Sequence, residues 1–190
     1  MDEAGRGPLA GPVVAAAVVL CKPGPPGLGD SKVLSEAARA RAETAIRARC
    51  AFGIGVVEVA DIDRLNIFGA TMLAMTRAMQ ALCEVLACEV GEARIDGNLT
   101  PHGRVAEWRW PARAIVGGDG KDKAIGAASI LAKQYRDRLM VAAAQDHPHY
   151  GWERNKGYGS KEHLAALRRH GATPLHRRSF APVAQLELVL

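Results

Sequence analysis

The sequence predicts an α/β fold in which helices flank a mixed sheet, and three observations carry that expectation. A short apolar run of β-branched and small residues comes first, strand-like and helix-like segments then alternate, and the apolar residues of the longer segments recur at steps of three and four. With 190 residues, 48% of them hydrophobic, the chain can bury one substantial core and a small appendage, but not two full domains.

Residues 13–20 (VVAAAVVL) are stopped by KPGPPG, the pattern of a buried strand ended by a proline-glycine loop. Ser35 is placed to cap a helix running to about Cys50, with Ala38, Ala42, Ile46 and Cys50 on one face. Residues 51–59 (AFGIGVVEV) return to strand character. Over 69–87, Met72, Met75, Met79, Leu82 and Leu86 form a core-facing helical stripe in which methionine serves as filler. Short strands are expected at 93–96, 104–110 and near 113–116, followed by a long helix from about 124 to 144 with Ala128, Leu131, Tyr135 and Leu139 along one side. Beyond His147 the texture changes to HPHYGWERNKGYGSKEH, before a short helix near 161–170 and a tail over 180–190. The expected division is a main domain over 1–147 with a basic helical segment, 148–190, packed on it.

No apolar run approaches the roughly 18 residues that cross a bilayer, and the glycine-rich, acidic start is unlike a basic secretory leader. A cytoplasmic protein without membrane contact is therefore expected. Cys21, Cys50, Cys83 and Cys88 lack a C-x-x-C pair and read as small buried thiols. The net charge of +5 is local: residues 1–130 hold 15 basic and 15 acidic side chains, whereas 131–190 hold 10 and 5, with five of the six histidines. Such an excess suits a phosphate-binding surface, although a solvated helical face accounts for it equally well.

Two glycine-rich stretches invite nucleotide readings and fail them. GRGPLAG contains Pro8 and leads into a strand, where a dinucleotide motif needs a helix, and GGDGKDK lacks both the first glycine and the Ser or Thr of a phosphate loop. What remains is a set of acidic residues at abrupt ends of apolar segments: Asp2-Glu3 before Gly5, Asp96 before Gly97, and Asp119 between glycines ahead of the long helix. A chain terminus, an Asp-Gly turn and a helix-entry loop explain each one singly. Together they suit magnesium or manganese, hard cations held by a few carboxylates, of which a pair can drive phosphodiester hydrolysis. Successive side chains of a regular strand face opposite ways, so a site shared by Asp2 and Glu3 requires the strand to break at Glu3, and the following AGRG is expected to supply the break. Asp119 is expected near the positive end of a helix dipole.

These residues stand in a longer pattern. DEAGRGPLAGPVVAAAVVL, DSKVLSE, IDRLNIFGATMLAM, IDGN, GGDGK, AASILAKQYRDRLM, NKGYGSKEH and HRRSFAPV follow one another from end to end, and in that order the chain resembles bacterial ribonuclease HII, the type 2 ribonuclease H. The resemblance implies a ribonuclease H-like fold: a mixed five-stranded sheet with its first three strands antiparallel, flanking helices, and a C-terminal helical segment. It implies a monomer that cleaves the RNA strand of RNA/DNA hybrids, and duplex DNA on the 5′ side of a single embedded ribonucleotide, with two Mg2+ or Mn2+ ions. The family's catalytic carboxylates fall on Asp2, Glu3, Asp96 and Asp119, which the metal reading had already isolated. Its G-R/K-G motif falls on Gly5, Arg6 and Gly7, whose backbone meets the ribose 2′-OH. Tyr158 matches the tyrosine that packs on the following sugar. Ser31 and Lys32 match a phosphate-contacting motif, with Val33 where many relatives have a second lysine. Arg154, Lys156, Lys161, Arg177 and Arg178 are candidate phosphate contacts or solvated charges. Relatives carry an apolar strand ahead of DEAGRG and here only Met1 precedes it, so the natural start is expected upstream, with metal affinity or stability lowered by the shortened strand. The competing readings are a nucleic-acid-binding module without chemistry and a ribonuclease HIII-like enzyme.

Overall fold

A computed structural model describes residues 1–25, 28 and 34–187; Ser31 and Lys32 lie outside the described residues. The sheet is built around β2 (Val13–Val19), which pairs antiparallel with β1 (Asp2–Ala4) on one side and β3 (Ala51–Val57) on the other. A second pair, β4 (Ala93–Asp96) and β5 (Ala112–Ile115), is parallel. Met1 joins the two sets: its amine donates to the Arg94 carbonyl at 2.8 Å, and its own carbonyl accepts from the Asp96 N–H at 3.1 Å. Bonds to the residues on either side of Ile95 are the pattern of a parallel pair. The strand order is therefore β3-β2-β1-β4-β5, the mixed five-stranded sheet expected, with its first three strands antiparallel.

Alternation along β2 assigns the two faces. Val13, Ala15 and Ala17 pack with Met72, Met75, Met79 and Leu82 of α2 (Val59–Leu86), whereas Val14, Ala16 and Val18 meet Ala42 and Ile46 of α1 (Glu36–Arg49) and Ala127, Ala128 and Leu131 of α4 (Lys123–Asp146). Each large apolar side chain so buried contributes about 1.5–3 kcal/mol. Small residues set the spacing: a methyl added at Gly55 would lie 2.0 Å from the Ala74 carbonyl oxygen, so α2 rests directly on the β3 backbone. That contact is why two glycines, Gly53 and Gly55, stand in an otherwise strand-forming run.

Several expectations need adjustment. The methionine helix begins earlier than residue 69, because Asn66 adopts φ 58° and its Oδ1 accepts from the N–H groups of Phe68 and Gly69, capping the second half of a kinked helix. Residues 104–110 form no strand. Arg104 and Val105 donate back to the Pro101 carbonyl and Trp108 to that of Val105, so the segment closes on itself, while the Trp108 and Trp110 rings meet edge-on in the core. Their burial mimics strand alternation in the sequence. Cys50 and Cys83 are buried as expected, but Cys88 is exposed.

After α4 come a 3₁₀ turn at Pro148–Tyr150, α5 (Trp152–Asn155), α6 (Lys161–His170) and α7 (Ala181–Glu187). Tyr150, Trp152, Leu167 and Val183 share a core with Leu9, Ala10 and Met140, and backbone bonds tie Leu9 to Gly157 and Arg177 and Gly11 to Leu175. The C-terminal segment thus grips the loop that follows β1. No helix among the described residues is long and apolar enough to cross a membrane.

Candidate active site

β1 and β4 lie side by side and parallel, with Met1 level with Ile95, which brings the first residue of β1, Asp2, beside the last of β4, Asp96; the short helix α3 (Gly118–Lys121) adds Asp119. One oxygen of each of these three carboxylates lies within 4.8 Å of the others. Each is held from behind. Asp2 accepts from the Glu3 N–H at 2.7 Å and from the hydroxyl of Ser129 on α4; Asp96 accepts from the Gly118 N–H at 2.6 Å; Asp119 accepts from the Gly120 N–H at 3.0 Å. Asp122 lies nearby but is otherwise employed. It caps α4 by accepting from the Ala124 and Ile125 N–H groups and pairs with Arg94 at 2.9 Å, so the long helix is capped three residues after Asp119.

Glu3 stands apart from this trio. The strand remains regular through Ala4, with Asp2 opposite Ala16, Glu3 opposite Ala15 and Ala4 opposite Val14, and the expected break comes only at Gly5, where φ is +98°. Asp2 therefore faces the α4 side, whereas Glu3 faces α2 and reaches a recess shared with Asp96, Phe68, Thr71 and Met72. Its carboxylate accepts from Arg6 at 3.3 Å. Burial, and after it the neighbouring Glu3 carboxylate, push the Asp2 carboxyl up to about 7; burial also raises Glu3, against the pull of Arg6. Three hard oxygen donors gathered in a poorly hydrated setting suit a hard divalent cation, and the residues present fit one.

In front of the acids opens a cleft of about 350 Å³ lined by Asp2, Glu3, Asp96, Gly5, Arg6, Gly7 and Tyr158. Gly7 faces the Tyr158 ring, 3.6 Å from where a side-chain carbon would begin. Tyr158 is 48% exposed, so its ring is displayed and not packed away. Its carbonyl is fixed by the Ser160 N–H and by Nδ1 of the buried His163, which touches Trp152 and His176 behind it. Sequence reasoning missed Ser129, Lys133 and Arg39, which also line the cleft. Ser129 looks like an interruption of an apolar helical face; a buried hydroxyl among alanines was the available signal.

The expected phosphate-binding basic surface is corrected in part. Arg177 is fully buried, donating to backbone carbonyls, and cannot touch phosphate. Arg154 is exposed and pairs with Glu153 and Glu162.

This architecture, an acidic trio at the edge of a mixed five-stranded sheet, belongs to the ribonuclease H class of nucleases. Ribonuclease H2 from Pyrococcus horikoshii superposes with a TM-score of 0.76 at 22% identity, covering 99% of this chain and 95% of that one. A ribonuclease HIII crystallised with Mn2+ gives 0.76 at 20%, covering 99% and 68%. The family model described as ribonuclease HII matches residues 1–183. The ribonuclease HII of Novosphingobium aromaticivorans is 71% identical over all of this chain and 97% of its own, and that of Sphingopyxis alaskensis is 63% identical over 100% and 91%. The chain belongs to the ribonuclease HII family, and it is a ribonuclease H-type endonuclease.

Proposed function

We propose that this nuclease hydrolyses the RNA strand of RNA/DNA hybrids and cuts duplex DNA on the 5′ side of a single embedded ribonucleotide. The observation that carries this reading is the convergence of Asp2, Asp96 and Asp119 within 4.8 Å beside a cleft walled by Gly5-Arg6-Gly7 and Tyr158. Acids and selectivity elements then share one opening, so the bond cut is the one beside the sugar inspected.

The three aspartates, with Glu3 reaching Asp96 from the α2 side, would hold two divalent cations, Mg2+ or Mn2+. Cations there supply Lewis acidity toward the phosphate and offset its developing charge. The Ser129 hydroxyl and the Gly118 N–H hold the Asp2 and Asp96 carboxylates in place, which limits the reorganisation needed on binding. The loop at Gly5, Arg6 and Gly7 meets the ribose 2′-OH, a group that donates and accepts and that deoxyribose lacks. Tyr158 packs on the next sugar, and Ser31 and Lys32 contact phosphate. Residues 148–190 act as a substrate-gripping segment on the catalytic body of 1–147, contributing Tyr158. The enzyme acts as a cytoplasmic monomer.

The test is cleavage of a duplex carrying one ribonucleotide, with and without Mg2+ or Mn2+, mapped to the nucleotide. A metal-dependent cut directly 5′ of the ribonucleotide is expected. An uncut strand under all conditions would favour a binding module instead.

A further inference from the structure

Two guanidiniums lie buried beneath the loop after β1, and among the described residues neither forms an ion pair. Arg136 donates to the carbonyls of Pro12 at 2.9 Å, Ala10 at 3.0 Å and Lys156 at 2.9 Å. Arg177 donates to those of Gly5 at 2.6 Å, Arg6 at 3.1 Å, Gly11 at 2.7 and 2.9 Å, and Pro12 at 3.1 Å. A buried cation without a counter-ion is an expensive way to stabilise a fold, and burial lowers both guanidinium pKa values, Arg177 to about 9. The expense has a geometric return that a hydrophobic filler could not give.

In a trans peptide the C=O of one residue and the N–H of the next point in opposite directions. Arg177 draws the carbonyls of Gly5 and Arg6 into the interior, so the N–H groups of Arg6 and Gly7 must face the other way. Both residues are exposed and line the cleft. We propose that Arg177 is a positioning residue for ribose selection: it locks two successive peptide planes so that the Arg6 and Gly7 N–H groups present themselves to the ribose oxygen. This rests on the reading that Gly5-Arg6-Gly7 meets the 2′-OH. Arginine suits this task because its rigid planar fork spreads donors over three nitrogens, all of which Arg177 uses, whereas the three donors of a lysine ammonium sit on one nitrogen with no fixed orientation. Gly5 is part of the same device, since a side-chain carbon there would lie 2.1 Å from Arg136 Nε.

The experiment compares equilibrium binding of two duplexes, identical except for one ribonucleotide, in EDTA at fixed salt so that nothing is cut. Wild-type protein is expected to prefer the ribonucleotide duplex. Arg177→Lys, with folding checked by circular dichroism, should lose about five- to tenfold of that preference while binding the all-DNA duplex as before. Leu82→Ala, a core truncation remote from the loop, should lose stability yet keep the preference, which separates positioning from mere destabilisation. An unchanged preference in Arg177→Lys overturns the proposal. No preference in the wild type would instead overturn the reading of Gly5-Arg6-Gly7 on which it rests. Should Arg177→Lys fail to fold, amide exchange in the wild type decides: Arg6 and Gly7 N–H groups must exchange rapidly and become protected by the ribonucleotide duplex but not by the all-DNA one. Slow exchange at both in the free protein overturns the proposal.

Discussion

The acidic trio, which includes Asp2 on β1, and the guanidinium pair, which grips the loop that follows β1, both gather like charge, and the protein treats them in opposite ways. Arg136 and Arg177 are closed within the molecule: eight hydrogen bonds run to carbonyls, and nothing further is needed. Asp2, Asp96 and Asp119 are supported from behind by hydrogen-bond donors, while one oxygen of each converges on the others. Burial first, and then the neighbouring Glu3 carboxylate, push the Asp2 carboxyl up to about 7. A buried charge spread over backbone carbonyls fixes the backbone, whereas carboxylates whose oxygens converge suit a positive ligand.

Four changes break or sharpen that contrast, from largest effect to smallest. Asp96→Asn should remove activity well beyond the about 10–100-fold that loss of a supporting contact costs, with the fold and duplex binding kept; wild-type-like turnover would sink the assignment. Gly5→Ala attacks the closed side. It puts a methyl into Arg136 and strains a φ of +98°, and should lower stability by about 2–3 kcal/mol in urea denaturation.

Asp2→Asn tests the open side through pH. The folded pKa lies near 7, above the ordinary 3.8, so the folded protein binds more protons than the unfolded chain between those values. Stability therefore falls as pH rises through that window. In EDTA at pH 7.5 the variant should be more stable than wild type by about 1–2 kcal/mol, and near pH 3.5 the two should coincide. Added Mg2+ should raise the melting temperature of wild type only; an equal rise in both would remove Asp2 from the metal set. Tyr158→Ala should weaken cleavage at a single ribonucleotide about tenfold more than on a continuous RNA tract, and equal losses would deny it a role in reading the junction.

The comparison also separates what local sequence carries from what it does not. The helix at 161–170 proves to be capped by Ser160 in the way that Ser35 caps α1, and the start of α1 was readable from its cap because capping chemistry is local. So were the candidate acids, since carboxylates at abrupt element ends are conspicuous. Residues 104–110 were misread because tryptophans buried by distant partners imitate a strand's alternation.

By itself the sequence determined the α/β class, the strand-helix alternation, and a list of acids, glycines and one tyrosine whose order resembles a single nuclease family. Only the tertiary structure decided that Asp2, Asp96 and Asp119 meet while Glu3 turns to the other face, because that depends on strand register and on Met1 bridging two strand pairs. Likewise the sequence shows Arg177 as one more positive charge in a basic tail. Folding brings it to 2.9 Å from the carbonyl of Gly11, 166 residues away in the sequence, where no water can reach it, and there its donors must go to backbone instead of phosphate.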